Sequence, residues 1–162
     1  MTERCGIRIG ELLVEAGVLD RGQVDRVLEA QRREGRPFGD LAERMFGVEP
    51  EAVEQAWVDQ YLTFDTEVDL ETQQIDTEVL RLLNRRQAWQ FRLLPMRYEH
   101  GELIVSTTGS SLVRAANFAW RRFNDPVMLL ISRRAQLERF LQAHYPWPAM
   151  EALAELTASD AA

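Results

Sequence analysis

Arg8–Gln31, RIGELLVEAGVLDRGQVDRVLEAQ, and Pro37–Gln60, PFGDLAERMFGVEPEAVEQAWVDQ, are two copies of one 24-residue pattern. The spacer Arg32-Arg33-Glu34-Gly35-Arg36 separates them. Aligned from their starts, Gly10 falls on Gly39, Leu12 on Leu41, Leu19 on Val48, Val24 on Val53, Leu28 on Trp57 and Gln31 on Gln60. Apolar matches alone would mean two similar helical hairpins. A glycine near each start and a glutamine at each end, at fixed spacing, mean two equivalent half-sites. Such a pair suits a ligand that is itself two-fold symmetric.

Each copy reads as two helices. Leu12 and Leu13, then Val24, Val27 and Leu28, keep the spacing of three and four that makes an apolar stripe. Gly17 is placed to end the first helix, and Asp20 to cap the second. In the second copy, Leu41, Met45 and Phe46 lead to Gly47, and Glu49-Pro50 suits a helix start with proline in the first turn. The segment 61–74 has no clear helical period and reads as a connector.

The later sequence changes character. Thr77–Leu83 and Arg85–Phe91 read as helices. Arg92–Arg97 and Glu102–Thr107 read as strands joined in a hairpin around Glu99-His100-Gly101. A helix at Ser111–Phe123, a strand at Pro126–Ile131 and an amphipathic helix at Arg133–His144 follow. The chain is therefore expected to be α+β: a four-helix unit at 7–60 and a small α/β unit at 75–145 of order β-β-α-β-α. Pro146-Trp147-Pro148 breaks the last helix, and 146–162 is expected to be a frayed or disordered tail.

Composition limits the chemistry. A chain of 162 residues with 46% apolar and 28% charged residues is ordinary for a soluble globular protein. The single cysteine, Cys5, makes no internal disulfide, and Met1-Thr2-Glu3-Arg4 leads into no apolar signal segment, so a cytoplasmic location is expected. Val127–Ile131 is far too short to cross a bilayer, so no membrane insertion is expected. The net charge of −7 disfavours binding to nucleic acid or anionic membrane. All 19 basic residues are arginine, which removes the usual P-loop and lysine-based covalent catalysis.

No enzyme constellation stands out. His100 and His144 fall at a turn and a helix end without a second ligand at metal spacing, so no metal or cofactor is expected. No serine sits in a nucleophile elbow. The chain reads as a binder. Arg8 with Gly10, and Phe38 with Gly39, lie at helix starts, where free N–H groups favour a phosphate. An arginine forks onto the O6 and N7 edge of guanine or stacks on a base. Asp40 would accept from guanine N1–H and N2–H, and Gln31 and Gln60 would reach a base or sugar. The plainer alternative makes the apolar positions bundle core, the glycines caps and the glutamines surface.

Arg8-Ile9-Gly10-x-x-Leu13-x-x-x-Gly17, with Val24, Leu28 and Gln31, resembles the motif of the MshE N-terminal (MshEN) domain, found on ATPases of type II secretion and type IV pilus assembly. Phe91-Arg92-Leu93-Leu94-Pro95, Glu102-Leu103-Ile104-Val105 and the closing Leu137–Tyr145 helix are similar to its C-terminal part. The resemblance covers about residues 7–145. It implies binding of cyclic di-GMP, one molecule spanning both copies. By position, Arg8, Gly10, Gln31, Gly39, Asp40 and Gln60 would make polar or backbone contacts, and Ile9, Leu13, Leu28 and Phe38 apolar ones. The second copy departs from the pattern at Pro37, Ala42, Phe46 and Trp57, with Arg36 standing in for the arginine that Pro37 replaces. Thr108-Gly109-Ser110 stands where many relatives carry an Asp-Pro pair. The resemblance implies a receptor that signals to a protein partner in a secretion, pilus or signalling system. The competing expectation is a protein-docking module of the same descent that binds no nucleotide.

Overall fold

A computed structural model describes residues 6–60 and 67–147, with backbone alone for 6, 7 and 57–60. The chain opens with strand β1 (Gly6–Arg8) and four helices, α1 (Ile9–Glu15), α2 (Arg21–Glu34), α3 (Phe38–Phe46) and α4 (Pro50–Gln60). After them come α5 (Arg85–Phe91), β2 (Leu94–Glu99), β3 (Glu102–Thr107), α6 (Leu112–Arg122), β4 (Val127–Ile131) and α7 (Arg134–His144). The fold is α+β, as the two periodicities demand.

Local chemistry sets the helix ends. Asp20 caps α2 in a reciprocal box: its carboxylate accepts from Gln23 N at 2.7 Å, and the Gln23 side chain accepts from Asp20 N at 2.9 Å. Such a cap contributes about 1 kcal/mol. α2 stops at Gly35, whose φ of 64° puts it in the left-handed region, where a side chain would be strained. Asn84 and Gln87 repeat the capping box at α5.

The sheet has the order β1-β4-β3-β2. β2 and β3 form an antiparallel hairpin in which Glu99 pairs with Glu102 across a two-residue turn. His100 (φ 51°) and Gly101 (φ 79°) are both left-handed, as such a tight turn requires. β3 and β4 run parallel, joined through α6, and β1 lies antiparallel to β4 with Arg8 opposite Met128. α6 packs against α3, α4 and α5, whereas α7 packs on β2. A single apolar core joins both halves, from Leu12, Val27 and Leu41 to Leu103, Trp120, Leu129 and Leu137. Each fully buried leucine there contributes roughly 1.5–3 kcal/mol.

The structure corrects the sequence reading in two places. No strand was expected before residue 92, yet β1 joins the sheet, because three residues suffice for an edge ladder but are too few to show a period. Thr77–Leu83 is not a helix but a short 3-10 turn, Val79–Leu82, which stops where Leu83 turns extended and Asn84 caps α5. The connector, where described, carries Val68 alongside Ser132 as an isolated parallel bridge. The expected tail from 148 onward lies outside the described residues.

Candidate ligand-binding site

Arg8 ends β1 and caps α1, so β4 fixes its backbone while its side chain stays half-exposed. The guanidinium is already engaged. Its Nε donates to both oxygens of Glu102 at 2.8 Å, and one terminal nitrogen donates to Glu11 at 3.0 Å. The Glu102 hydrogen bond, more than any other contact, raises the Arg8 pKa above its ordinary value.

Arg8 stands at the mouth of a cavity of about 440 Å³. That volume is in the range of small-molecule sites. Ile9, Val14, Val24, Leu28 and Phe38 give it apolar walls. The turn His100-Gly101-Glu102 closes one side, and Phe123, Asp125 and Pro126 another. Its charged lining is three arginines (Arg8, Arg21, Arg32) against five carboxylates (Glu11, Glu15, Asp25, Glu102, Asp125). Tyr98 donates to Asp125 at 3.0 Å and so holds one of these carboxylates in place.

Of the residues singled out in sequence, Arg8, Ile9, Gly10, Leu28 and Phe38 line this one cavity. A Cβ built on Gly10 would stand 2.6 Å from Val24 Cγ1 and 3.7 Å from Phe38 Cζ, so the glycine lets α1, α2 and the first residue of α3 converge. Leu13 is fully buried in the core and does not reach the cavity. Gly39 is buried, and a Cβ there would meet the Trp120 ring at 2.1 Å. Arg36 and Asp40 are exposed and outside the cavity lining. The Gln60 side chain lies outside the described residues.

Gln31 is unusual. It is 2% exposed, and neither its amide nitrogen nor its amide oxygen has a hydrogen-bond partner. A buried unpaired amide costs about 1–3 kcal/mol, so it marks a position needing something besides packing to explain it. Sequence reasoning missed His100, Glu102, Phe123 and Asp125, which the later hairpin and the α6–β4 connection bring to the cavity. Among the described residues no group of three or more His, Cys, Asp or Glu is placed to hold a metal ion. No described helix is long and apolar enough to cross a membrane.

The family model of the MshEN domain matches residues 61–149, and the chain belongs to that family. The matched region begins just after the second copy of the repeat. Two solved structures are similar. One is of MshE with cdg, at 22% identity and TM-score 0.42, covering 86% of this chain and 99% of that one. The other is the N-terminal domain of XpsE, at 21% identity and TM-score 0.44, covering 85% of this chain and 94% of that one. None of the curated proteins compared with the chain matches it.

Proposed function

We propose that this chain is a cytoplasmic cyclic di-GMP receptor domain, not an enzyme, that passes ligand occupancy to a protein partner in a secretion, pilus or signalling system. One observation carries the reading: five residues taken from the duplicated motif, Arg8, Ile9, Gly10, Leu28 and Phe38, line a single cavity. Membership of the MshEN family and the motif's resemblance to cyclic di-GMP-binding relatives support the choice of ligand.

The chemistry fits part by part. Apolar walls from Ile9, Val24, Leu28 and Phe38 accept the face of a guanine, whose burial is favourable at roughly 25 cal/mol per Å² of apolar surface. Arg8 presents a planar fork suited to the O6 and N7 edge, worth about 1–3 kcal/mol. Carboxylates at the rim accept from guanine N1–H and N2–H, which adenine lacks. The same carboxylates repel phosphate, so recognition rests on the base more than on the field. Phe38, the first residue of the second copy's helix pair, ties that copy to the cavity.

A docking module without nucleotide is the second reading. It is favoured by the exposed positions of Arg36 and Asp40, which lie outside the cavity lining. A thermal-shift comparison of cyclic di-GMP, cyclic di-AMP and GMP separates the two, because a ligand that binds only the folded state stabilises it by RT ln(1 + [L]/Kd) and so raises Tm. The receptor reading expects a rise that grows with the logarithm of cyclic di-GMP concentration and a much smaller one with cyclic di-AMP. Identical behaviour of the guanine and adenine dinucleotides refutes it.

A further inference from the structure

The step of 29 positions that carries Gly10 onto Gly39 also carries Arg21, Val24 and Asp25 onto Pro50, Val53 and Glu54. The first three line the cavity described above. The second three line another cavity, of about 600 Å³, whose remaining wall includes Phe91 and the α6 residues Phe118 and Trp120. Each copy therefore has a hollow over the same three positions.

The two hollows differ at the glycine. Gly10 lines its cavity, and the atom nearest to an added Cβ is one valine methyl at 2.6 Å. Over Gly39 lies the Trp120 indole, with Nε1, Cδ1 and Cε2 at 2.1, 2.2 and 2.6 Å from the same construction. Trp120 is 2% exposed, and its ring tilts against Phe38 with centroids 5.3 Å apart. Indole is a flat, nitrogen-bearing bicycle of nearly the size of a purine. Charge runs opposite to access: the second cavity has Arg114, Arg121 and Arg122 against the single carboxylate Glu54, whereas carboxylates outnumber arginines in the first.

We infer that Trp120 is an internal occupant of the second half-site, so the native chain engages a cyclic dinucleotide through the first cavity alone. This rests on the receptor reading for its ligand. α6 lines the second cavity with three arginines, of which Arg121 also pairs with Glu43 at 2.9 Å, and the indole fills the purine seat beside Gly39. Removing the indole should let the second guanine enter.

Backbone amide shifts of the full chain, titrated with cyclic di-GMP, test this in the native protein and in Trp120→Leu. The native chain should show Gly10 and Val24 moving while Gly39 and Val53 stay still. Trp120→Leu should show both sets moving, with binding at least tenfold tighter. Gly39 and Val53 moving alongside Gly10 in the native chain overturns the inference and leaves the receptor reading intact. So does a Trp120→Leu titration in which Gly10 moves and Gly39 does not. Silence at Gly10 in the native chain with movement at Gly39 in the variant supports the internal occupant and refutes the receptor reading for the native chain. Silence everywhere overturns both. If Trp120→Leu loses its dispersed spectrum, Trp120→Phe, which keeps an aromatic ring against Phe38, should show the same pattern at lower amplitude. Its silence at Gly39 and Val53 while Gly10 moves overturns the inference.

Discussion

Arg8 and Glu102 lie 94 positions apart in sequence and meet at the mouth of the first copy's cavity, where Arg8 Nε donates to both Glu102 oxygens at 2.8 Å. β1 carries the arginine to the edge of β4, and the β2–β3 turn brings the carboxylate to the same rim. Any anion that uses Arg8 must compete with Glu102.

Replacing that carboxylate with its amide should ease the competition. Glu102→Gln is expected to tighten cyclic di-GMP binding several-fold and to make it more sensitive to salt, since the half-exposed Arg8, left with Glu11 alone, is screened more readily. Stability should change by less than about 1 kcal/mol, as for other solvent-exposed pairs. Titrations at low and high salt check both points. Weaker binding by Glu102→Gln would show that Glu102 orients Arg8 and does not restrain it.

The paired glycines predict unequal costs. Gly10→Ala brings a methyl to 2.6 Å from Val24 Cγ1, a contact that small shifts relieve at about 1–3 kcal/mol. Gly39→Ala brings one to 2.1 Å from a rigid, buried indole and should cost more. Adding Val24→Ala to Gly10→Ala should recover part of the loss. Denaturant midpoints decide the matter, and a Gly39→Ala protein as stable as the parent contradicts the packing described for α3 and α6.

Gln31→Leu should stabilise the unliganded chain. It removes two buried polar atoms without partners and keeps nearly the same volume, a gain of about 1–3 kcal/mol. The same change should weaken cyclic di-GMP binding if the amide is held for the ligand. A lower urea midpoint for Gln31→Leu would mean that the amide has a partner in the folded protein.

The Tyr98 phenol, pushed up to about 12 by burial and then by its hydrogen bond to Asp125, gives a pH dependence with a defined sign. The folded state favours the neutral phenol, so this stabilisation is complete below the ordinary value of 10.0 and is lost as pH rises from there through about 12. Tyr145 is raised too, by burial, so both contribute to the alkaline loss. Between these limits Tyr98→Phe should lose stability less steeply than the parent. Parallel curves would show that Tyr98 is not shifted.

Much of this was legible in the chain because its causes are local. Asp20 capping α2, Gly47 ending α3 in the left-handed region and His100-Gly101 turning the hairpin all act within a few positions. The apolar wall formed by Ile9, Leu28 and Phe38 was legible for a different reason, the resemblance to the MshEN motif. Glu102 and Asp125 were not, since only the completed sheet brings them to the cavity. Trp120 was hidden more deeply. On α6 it reads as one more apolar position of an amphipathic helix, and nothing in its spacing indicates that it rests on Gly39. Gln31 was read as a ligand contact, but its lack of any partner shows only when its neighbours are placed.

The most direct test of the account is a calorimetric titration of cyclic di-GMP into the full chain and into Arg8→Ala. Saturable binding of one ligand per chain is expected, weakened in Arg8→Ala by on the order of 1–3 kcal/mol, the loss of one arginine–guanine fork. A flat titration of the parent, or an Arg8→Ala isotherm that overlays it, would contradict the assignment of this cavity to the dinucleotide.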